Sequence, residues 1–562
     1  MTGIFALPLR RDVAHPFPSE SDEVSLPTEE VTEEEEAGDE PTEPQAFIRI
    51  DFEGLAERAV PVPIEADNYQ GLTATKDHLL YVRSGAEFYG RDSSAKAALV
   101  LFDRAGRKES VLAEDVEDYA VSYDGSKVLV KQEEAYNLYD AKPEPGEKKT
   151  VSTSGLAVDR VPASEWEQIF DEVWRQFRDF FYVDNMHGYD WPAIREQYRP
   201  LLQHVGHRSD LNYVLGEMVA ELSVGHAYIQ GGDFEAPERP RVALPGARFE
   251  LDEEVGRYRI AEIFPGQNEE ELYRSPLTEV GVEIAVGDYV LAIDGQELRG
   301  NDNPYRLLQH KTDPVTLTVN DGPSLETARD VTYRPITDEQ PLLYLRWVEQ
   351  NRDRVAKLTG GRVGYIHLPD MGERGISEFI KTYYPQIRKE GLVVDVRSNG
   401  GGNVSEWIIE RLSRKLLGTR FGSTFDDPLT YPNTVFHGHM VCILNETSAS
   451  DGDIFPARFR QAGLGPLIGK RSWGGVVGIR GQGPLMDGGQ VYVPQLGTNA
   501  PDGSWIIEGR GVEPDIVVEN DPTSVLEGRD PQLERAVEEV LRAIRRDPRN
   551  LPPRPPDPVK TP

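Results

Sequence analysis

The spacing of apolar and polar positions changes character several times along the chain, and each change marks a new kind of element. From about Ala46 to Ala157 the pattern is one of short alternating runs broken by turns, as half-buried strands require. Two of these runs match each other, GLTATKDHLLYVRS from Gly71 and YAVSYDGSKVLVKQ from Tyr119, with Asp77 and Asp124 in corresponding places. The Asp124-Gly125 pair predicts a hairpin turn, and the spacing of the runs is that of one four-stranded propeller blade. Because a propeller closes with about four to eight blades, two repeats predict the end of a β-propeller whose other blades lie upstream of Met1. That suggests a truncated chain or a divided gene; a small independent β-domain is the alternative.

At Val161 the period becomes helical. SEWEQIFDEVWRQFRDFFY has Ser164 and Glu167 in capping-box spacing and sets Trp166, Ile169, Phe170, Val173, Trp174 and Phe177 on one face, which reads as core. DWPAIREQYRPLL and LNYVLGEMVAEL predict two further amphipathic helices, and LSVGHAYI then places His226 just past a helix end. From about Val242 to Ile336 strands return around VGVEIAVGDYVLAIDGQEL, with a short helix at NPYRLLQH. The Gly287-Asp288 turn before a buried strand and the Asp294-Gly295 hairpin after it resemble a PDZ domain, a module that binds an extended peptide along a sheet edge. A structural spacer is the other reading. From Leu342 onward apolar strand-like runs alternate with helices (VGYIHL, GLVVDVRSNGGG, MVCILNE, GPLIGKR), which predicts βα crossovers and a mainly parallel sheet.

Composition narrows the function classes. A chain of 562 residues needs several cores, and its apolar share of 38% suits an ordinary globular protein. No stretch approaches the roughly 18 uncharged apolar residues of a membrane helix, and MTGIFALPLRRD reverses the order of a secretory signal. The expected location is cytoplasmic. The net charge of −35 argues against nucleic acid and anionic membranes as partners. Part of that charge lies in the acidic, aromatic-free stretch from Ser19 to Glu43, expected as a disordered insertion over 19–45. The single cysteine, Cys442, lies in an apolar run and reads as structural.

Chemistry concentrates in two loops that leave predicted strand ends. Ser450, in NETSASDGD, follows a buried strand and precedes a helix, a position that exposes a hydroxyl and aims the next backbone N–H groups at a forming oxyanion. The same position also suits a plain helix cap. Gly400, Gly401 and Gly402 let a backbone come close without side-chain obstruction, so the two loops together make a plausible oxyanion hole. A serine needs a base, and among the ten histidines His226 stands out by its position. Glu508, in WIIEGRGVEPDI, is the carboxylate candidate to orient it. No metal-ligand spacing such as HExxH is present and no cofactor is implied.

Several ordered motifs then point one way. VWRQFRDFFY with GYDW, the PDZ-like insert, DVRSNGGG, NETSASDGD, LIGKRSWGGVVG and EGRGVEPDI resemble the C-terminal half of the tricorn protease family over about Val161 to Val540. The resemblance implies a multidomain α+β and α/β chain: the C-terminal portion of a β-propeller over 1–158, a helical catalytic subdomain over 161–238, a PDZ-like domain over 240–337, a crotonase-like ββα catalytic subdomain over 340–545 and a Pro-rich tail over 546–562. It implies a serine peptidase, assembled as a hexamer, that degrades oligopeptides left by larger proteases. Ser450 falls on the nucleophile, His226 on the base, Glu508 on the orienting carboxylate, and Asp451 N–H and Gly401 on the oxyanion donors. In the family a serine precedes the histidine and links it to the glutamate. Here Gly225 stands there, so either Ser223 or a water bridges to Glu508, or the imidazole is held less firmly than in the family. If upstream blades are missing, a separate chain could supply them, and Asp426 and Asp427 could favour a basic residue beside the scissile bond or simply be solvated surface charge.

Two rivals stay open on these residues. A tail-specific Ser/Lys peptidase shares the domain order, but its lysine would fall at Gly475, with Lys470 and Arg471 displaced. A peptide-binding scaffold with a decayed site is the other.

Overall fold

Strand-forming and helix-forming stretches segregate into two compact units, Met1–Asp159 and Arg160–Pro562, in the computed structural model of the chain. The structure describes residues 2–18, 48–85, 95–133, 135–237, 239–424 and 427–561; the acidic stretch over 19–45 and Asp426 lie outside these. Among the described residues no helix is long and apolar enough to cross a membrane.

In the first unit the matched runs become two four-stranded antiparallel meanders. One uses Asn68–Ala74, His78–Ser84, Ala98–Asp103 and Lys108–Glu114; the other uses Asp118–Val121, Lys127–Gln132, Ala135–Asp140 and Lys149–Val151. Asp124 makes its hairpin as expected: its carboxylate accepts from the Ser122 and Ser126 hydroxyls and Gly125 takes φ +70°. Leu80, Leu99, Leu101, Val128 and Val130 join the two sheets in one core. Two meanders are fewer than a closed ring needs, and the described residues contain no complete propeller.

The second unit opens with helix Pro162–Phe180, which starts before the predicted capping box. Val161 is the N-cap and Pro162 occupies the first turn, where a missing N–H costs nothing and φ is already helical. Ser164 is therefore inside the helix and caps nothing. Ile169, Phe170, Val173 and Phe177 are fully buried against Leu211, Leu215 and Met218 of helix Arg208–Ala220. The same core takes Leu485, Val491 and Val493 from a hairpin 270 residues downstream in the chain, strands Gly478–Pro484 and Gln490–Leu496. Strand Tyr228–Gln230 adds to that hairpin in antiparallel register, Tyr228 opposite Tyr492. Arg208 and Asp487, each with a side chain 2% exposed, form an ion pair that ties helix to hairpin turn. The His226 loop is thus held between a helix and a strand that are both anchored to the 478–496 hairpin.

Residues 247–333 form an antiparallel sheet, with Asp294 and Gly295 both at positive φ (+48° and +75°) in the tight turn the Asp-Gly pair predicts. The α/β part is a five-stranded sheet in the order Val363–His367, Gly391–Asp395, His439–Leu444, Leu467–Gly469 and Ile516–Val517, parallel throughout. Helices Glu373–Tyr383, Ser405–Leu412 and Asp451–Gln461 cover one face; Gln340–Thr359 and Pro531–Arg546 cover the other. Cys442 is buried in the central strand.

Truncating one partner of the Arg208–Asp487 pair leaves a buried charge without its counterion. Asp487→Ala is expected to lower stability by about 3–5 kcal/mol, measured as a shifted urea midpoint, whereas Glu254→Ala on the surface should leave the midpoint in place.

Candidate active site

The central strand ends at Leu444 and the chain reaches helix Asp451–Gln461 through a turn whose last residue, Ser450, has φ +57° and ψ −120°. A non-glycine residue seldom adopts this backbone, and it persists only where the surroundings enforce it. The surroundings here are glycines. A Cβ on Gly401 would lie 2.6 Å from Ser450 Cβ and 2.8 Å from the Ala449 carbonyl oxygen, and Gly401 itself sits at φ +90°. A Cβ on Gly452 would lie 2.6 Å from the Asn399 carbonyl oxygen. The glycine loop and the nucleophile turn are therefore packed backbone against backbone, and Ala449 N–H donates to the Asn399 carbonyl at 2.8 Å to join them.

Two N–H groups face this contact. Asp451 N–H is in the first turn of the helix and has no partner among the described residues, as expected for an orphan donor. The Asp451 carboxylate points elsewhere, accepting from Ser405 N–H at 3.0 Å. Gly401 N–H donates to Asn399 Oδ1 at 2.9 Å, so the glycine loop's donor is already engaged and can serve an oxyanion only by sharing.

His226 is half-buried in the loop before strand Tyr228–Gln230. Its Nδ1 lies 2.9 Å from the Val477 carbonyl oxygen. A carbonyl only accepts, so Nδ1 carries the proton and the Nε2 lone pair is left free to act as a base. The carboxylate expected to orient the ring does so at one remove. Glu508 Oε2 accepts from Val476 N–H (2.7 Å) and Val477 N–H (2.9 Å), and Oε1 reaches Gly225 N–H at 3.4 Å. It thereby fixes Val477, the residue whose carbonyl holds the imidazole. Ser223 is not the bridge: its Oγ is 3.1 Å from Tyr189 Oη. Where the serine would stand, a Cβ on Gly225 meets only ordinary contacts, 3.6 Å from Trp473 at nearest.

Trp473 and Asp453 were not legible as site residues. The Trp473 indole packs edge-on to His226 with centroids 6.0 Å apart, while its N–H on the backbone donates to Ser448 at 3.0 Å, so the residue spans the loops of nucleophile and base. It also fills the space beside Gly475, where a Cβ would lie 2.2 Å from the ring. A lysine at 475 has no room, and Lys470 is paired with Glu446 and Glu519. Asp453, one turn beyond Ser450, is fully buried and accepts Gly474 N–H at 2.8 Å. Gly474 in turn accepts from Gly509 N–H at 2.8 Å, which completes a path from the nucleophile helix to the Glu508 loop. Burial pushes the Asp453 carboxyl up to about 6. No signal in NETSASDGD distinguishes Asp453 from the acidic residues that commonly follow a helix cap.

No hydrogen bond joins Ser450 Oγ to His226 among the described residues; such contacts are often loose before substrate binds. Asp427 is exposed and lines a different cleft with Arg388 and the tail residues Leu551–Arg554. The described residues contain no group of acidic, histidine or cysteine side chains suited to a metal.

Comparison with known proteins places these features in a lineage. Residues 162–220 match the Tricorn protease C1 domain, 244–338 the Tricorn protease PDZ domain and 362–518 Peptidase family S41. The chain is 35% identical over 90% of its length to tricorn protease homolog 1 of Streptomyces coelicolor, covering 48% of that protein. It is 32% identical over 88% of its length to a chain of Sulfurisphaera tokodaii described as a tricorn-like protease C-terminal subunit, covering 58% of it. A crystal structure of the tricorn protease superposes with a TM-score of 0.80 at 30% identity, over 89% of this chain and 49% of that one. The chain spans about half the length of the curated relatives it matches.

Three outcomes follow from the geometry. Gly401→Ala should fold but lose activity by about 10²-fold or more, since the added methyl collides with Ser450; kcat on a chromogenic peptide reads it. Glu508→Ala frees the Val476–Val477 amides and should lower kcat by roughly 10²-fold with little change in KM. The raised Asp453 carboxyl binds its proton more tightly in the native state than in the unfolded chain. Its stabilising contribution is therefore complete below about pH 4 and declines as pH rises through about 6. Asp453→Asn should remove that decline, seen as a flatter plot of melting temperature against pH.

Proposed function

Since residues 162–518 belong to the tricorn protease family within the S41 peptidases, we propose that the chain is a serine peptidase acting on oligopeptides through an acyl-enzyme. The observation that carries this reading is the strained Ser450 turn held against Gly401 beside an imidazole whose Nε2 is left free. In the proposed reaction Nε2 of His226 takes the proton as Ser450 Oγ attacks the peptide carbonyl. Asp451 N–H receives the oxyanion, with Gly401 N–H as a shared second donor. The imidazolium then protonates the leaving amine, and water, activated by the same nitrogen, releases the acyl group. Val477 and Glu508 hold the ring in the one tautomer that allows this.

The rest of the assignment is proposed by likeness. The PDZ-like sheet would take an extended peptide by edge addition. A homo-oligomer, hexameric as in the family, and a cytoplasmic location fit the resemblance and the strongly acidic charge. The blade-like pair of meanders suits a partner chain that supplies the rest of a propeller, in keeping with a relative described as a C-terminal subunit. Asp427, and Asp426 beyond the described residues, stay candidates for selecting a basic side chain.

Fluorophosphonate labelling with peptide mapping tests the assignment. Label should appear on Ser450 in the wild type and be absent in Ser450→Ala and His226→Ala. Folded wild-type protein that takes no label, alone or with added propeller domain, refutes it.

A further inference from the structure

A second concave feature lies at the carboxyl ends of the parallel strands, the end of such sheets where ligands collect. It is a cavity of about 730 Å³, within the usual range for small-molecule sites. Its walls come from helix Gln340–Thr359, the loops after the strands ending at His367, Asp395, Leu444 and Gly469, and the segment 519–532. None of Ser450, His226 and Glu508 lines it.

The charge of its lining is opposite to that of the chain. The protein carries 61 basic and 96 acidic side chains, whereas five basic residues (Arg354, Arg374, Arg397, Lys470, Arg529) and three acidic ones (Glu446, Glu519, Asp530) face the cavity. Most of these cations are answered. Arg397 is clamped by Asp395 and Asp530, and Lys470 by Glu446 and Glu519. Arg354 and Arg374 are not. Arg354 donates to the Gly528 carbonyl and makes no ion pair among the described residues. Arg374 lies over the Tyr344 ring at 4.3 Å and donates Nε to Tyr273 Oη at 3.2 Å. Its Nη2 is buried with no hydrogen-bond partner. A guanidinium donor left buried with nothing to accept from it is destabilising, and a carboxylate or phosphate is the group it matches.

We propose that this cavity binds a small organic anion through a carboxylate or phosphate group held by Arg354 and Arg374. The site also touches the catalytic loops from behind. Ser398 and Asn445 line it, Ser398 N–H donates to Asn445 Oδ1 at 2.8 Å, and the chain continues from Ser398 directly into Asn399 and the glycine loop. An occupant would therefore bear on the same two loops that shape the oxyanion cradle. Binding stands independently of the peptidase assignment; only its effect on Ser450 reactivity rests on it.

The test uses the full chain as Ser450→Ala, with phosphate and citrate as probes and sodium chloride at matched ionic strength as control, followed by calorimetry and thermal shift. Saturable binding by one probe is expected, phosphate or citrate identifying which anion is preferred, and it should weaken by about ten-fold or more in Arg374→Gln. Gln350→Glu, which puts a negative charge on an exposed part of the cavity wall without disturbing a hydrogen bond, should weaken binding in the same direction. Stabilisation no greater than chloride gives, or binding unchanged in both variants, overturns the proposal. Binding that holds while wild-type Ser450 takes no fluorophosphonate would uphold the site and count against the peptidase reading alone.

Discussion

The Val476–Val477 backbone, held by two N–H···O bonds to one carboxylate, is the constraint through which nucleophile, base and fold are tied together. The candidate base, His226, comes from the helical part of the chain and the candidate nucleophile, Ser450, from the parallel sheet, so neither subdomain can set their separation alone. Glu508 grips the 476–477 amides, Val477 presents its carbonyl to His226, and Asp453 reaches the same loop through Gly474 from the nucleophile helix. A carboxylate acting through a peptide group gives the imidazole a neutral acceptor. The ring keeps its orientation and tautomer, while the charge that would stabilise an imidazolium sits one peptide further away.

Strain marks the same region. Ser450 has φ +57°, Ile507 φ +55° and Ser398 φ +56°, and a β-branched residue in that conformation is a genuine outlier. Each lies next to a group of the candidate site: the Asp451 N–H, the Glu508 carboxylate, the glycine loop. The cost of these conformations is met by contacts that only glycine permits, above all Gly401 against Ser450. Large cores on both faces of the sheet supply the rigidity that holds them.

Packing also chooses between mechanisms that share this architecture. The Trp473 ring takes the volume beside Gly475 where a lysine would project, and stands edge-on to His226, the candidate base. Gly225 leaves room for a hydroxyl that this chain lacks, and the backbone N–H of that residue, not a side chain, faces Glu508. Both features suit His226 as the candidate base better than a lysine at 475.

Much of this was legible in residue order. Periodicity sufficed for the Ile169–Phe177 core face and the Asp-Gly turns at 124 and 294, because each depends on neighbours three or four positions away or on one turn's φ, and the alternation of apolar runs with helices sufficed for the parallel sheet. The strand-to-helix placement of Ser450 and the glycines opposite it were readable for the same reason. What tertiary structure alone decided are contacts between residues far apart in sequence: Val477 with His226 over 251 positions, Gly225 with Glu508 over 283, Arg208 with Asp487 over 279. The first helix starts at Pro162, ahead of the Ser164-x-x-Glu167 box, because Pro162 suits the first turn better than that box does. The role of Asp453 was invisible because burial, not residue type, raises its affinity for a proton, and burial is a property of the folded chain.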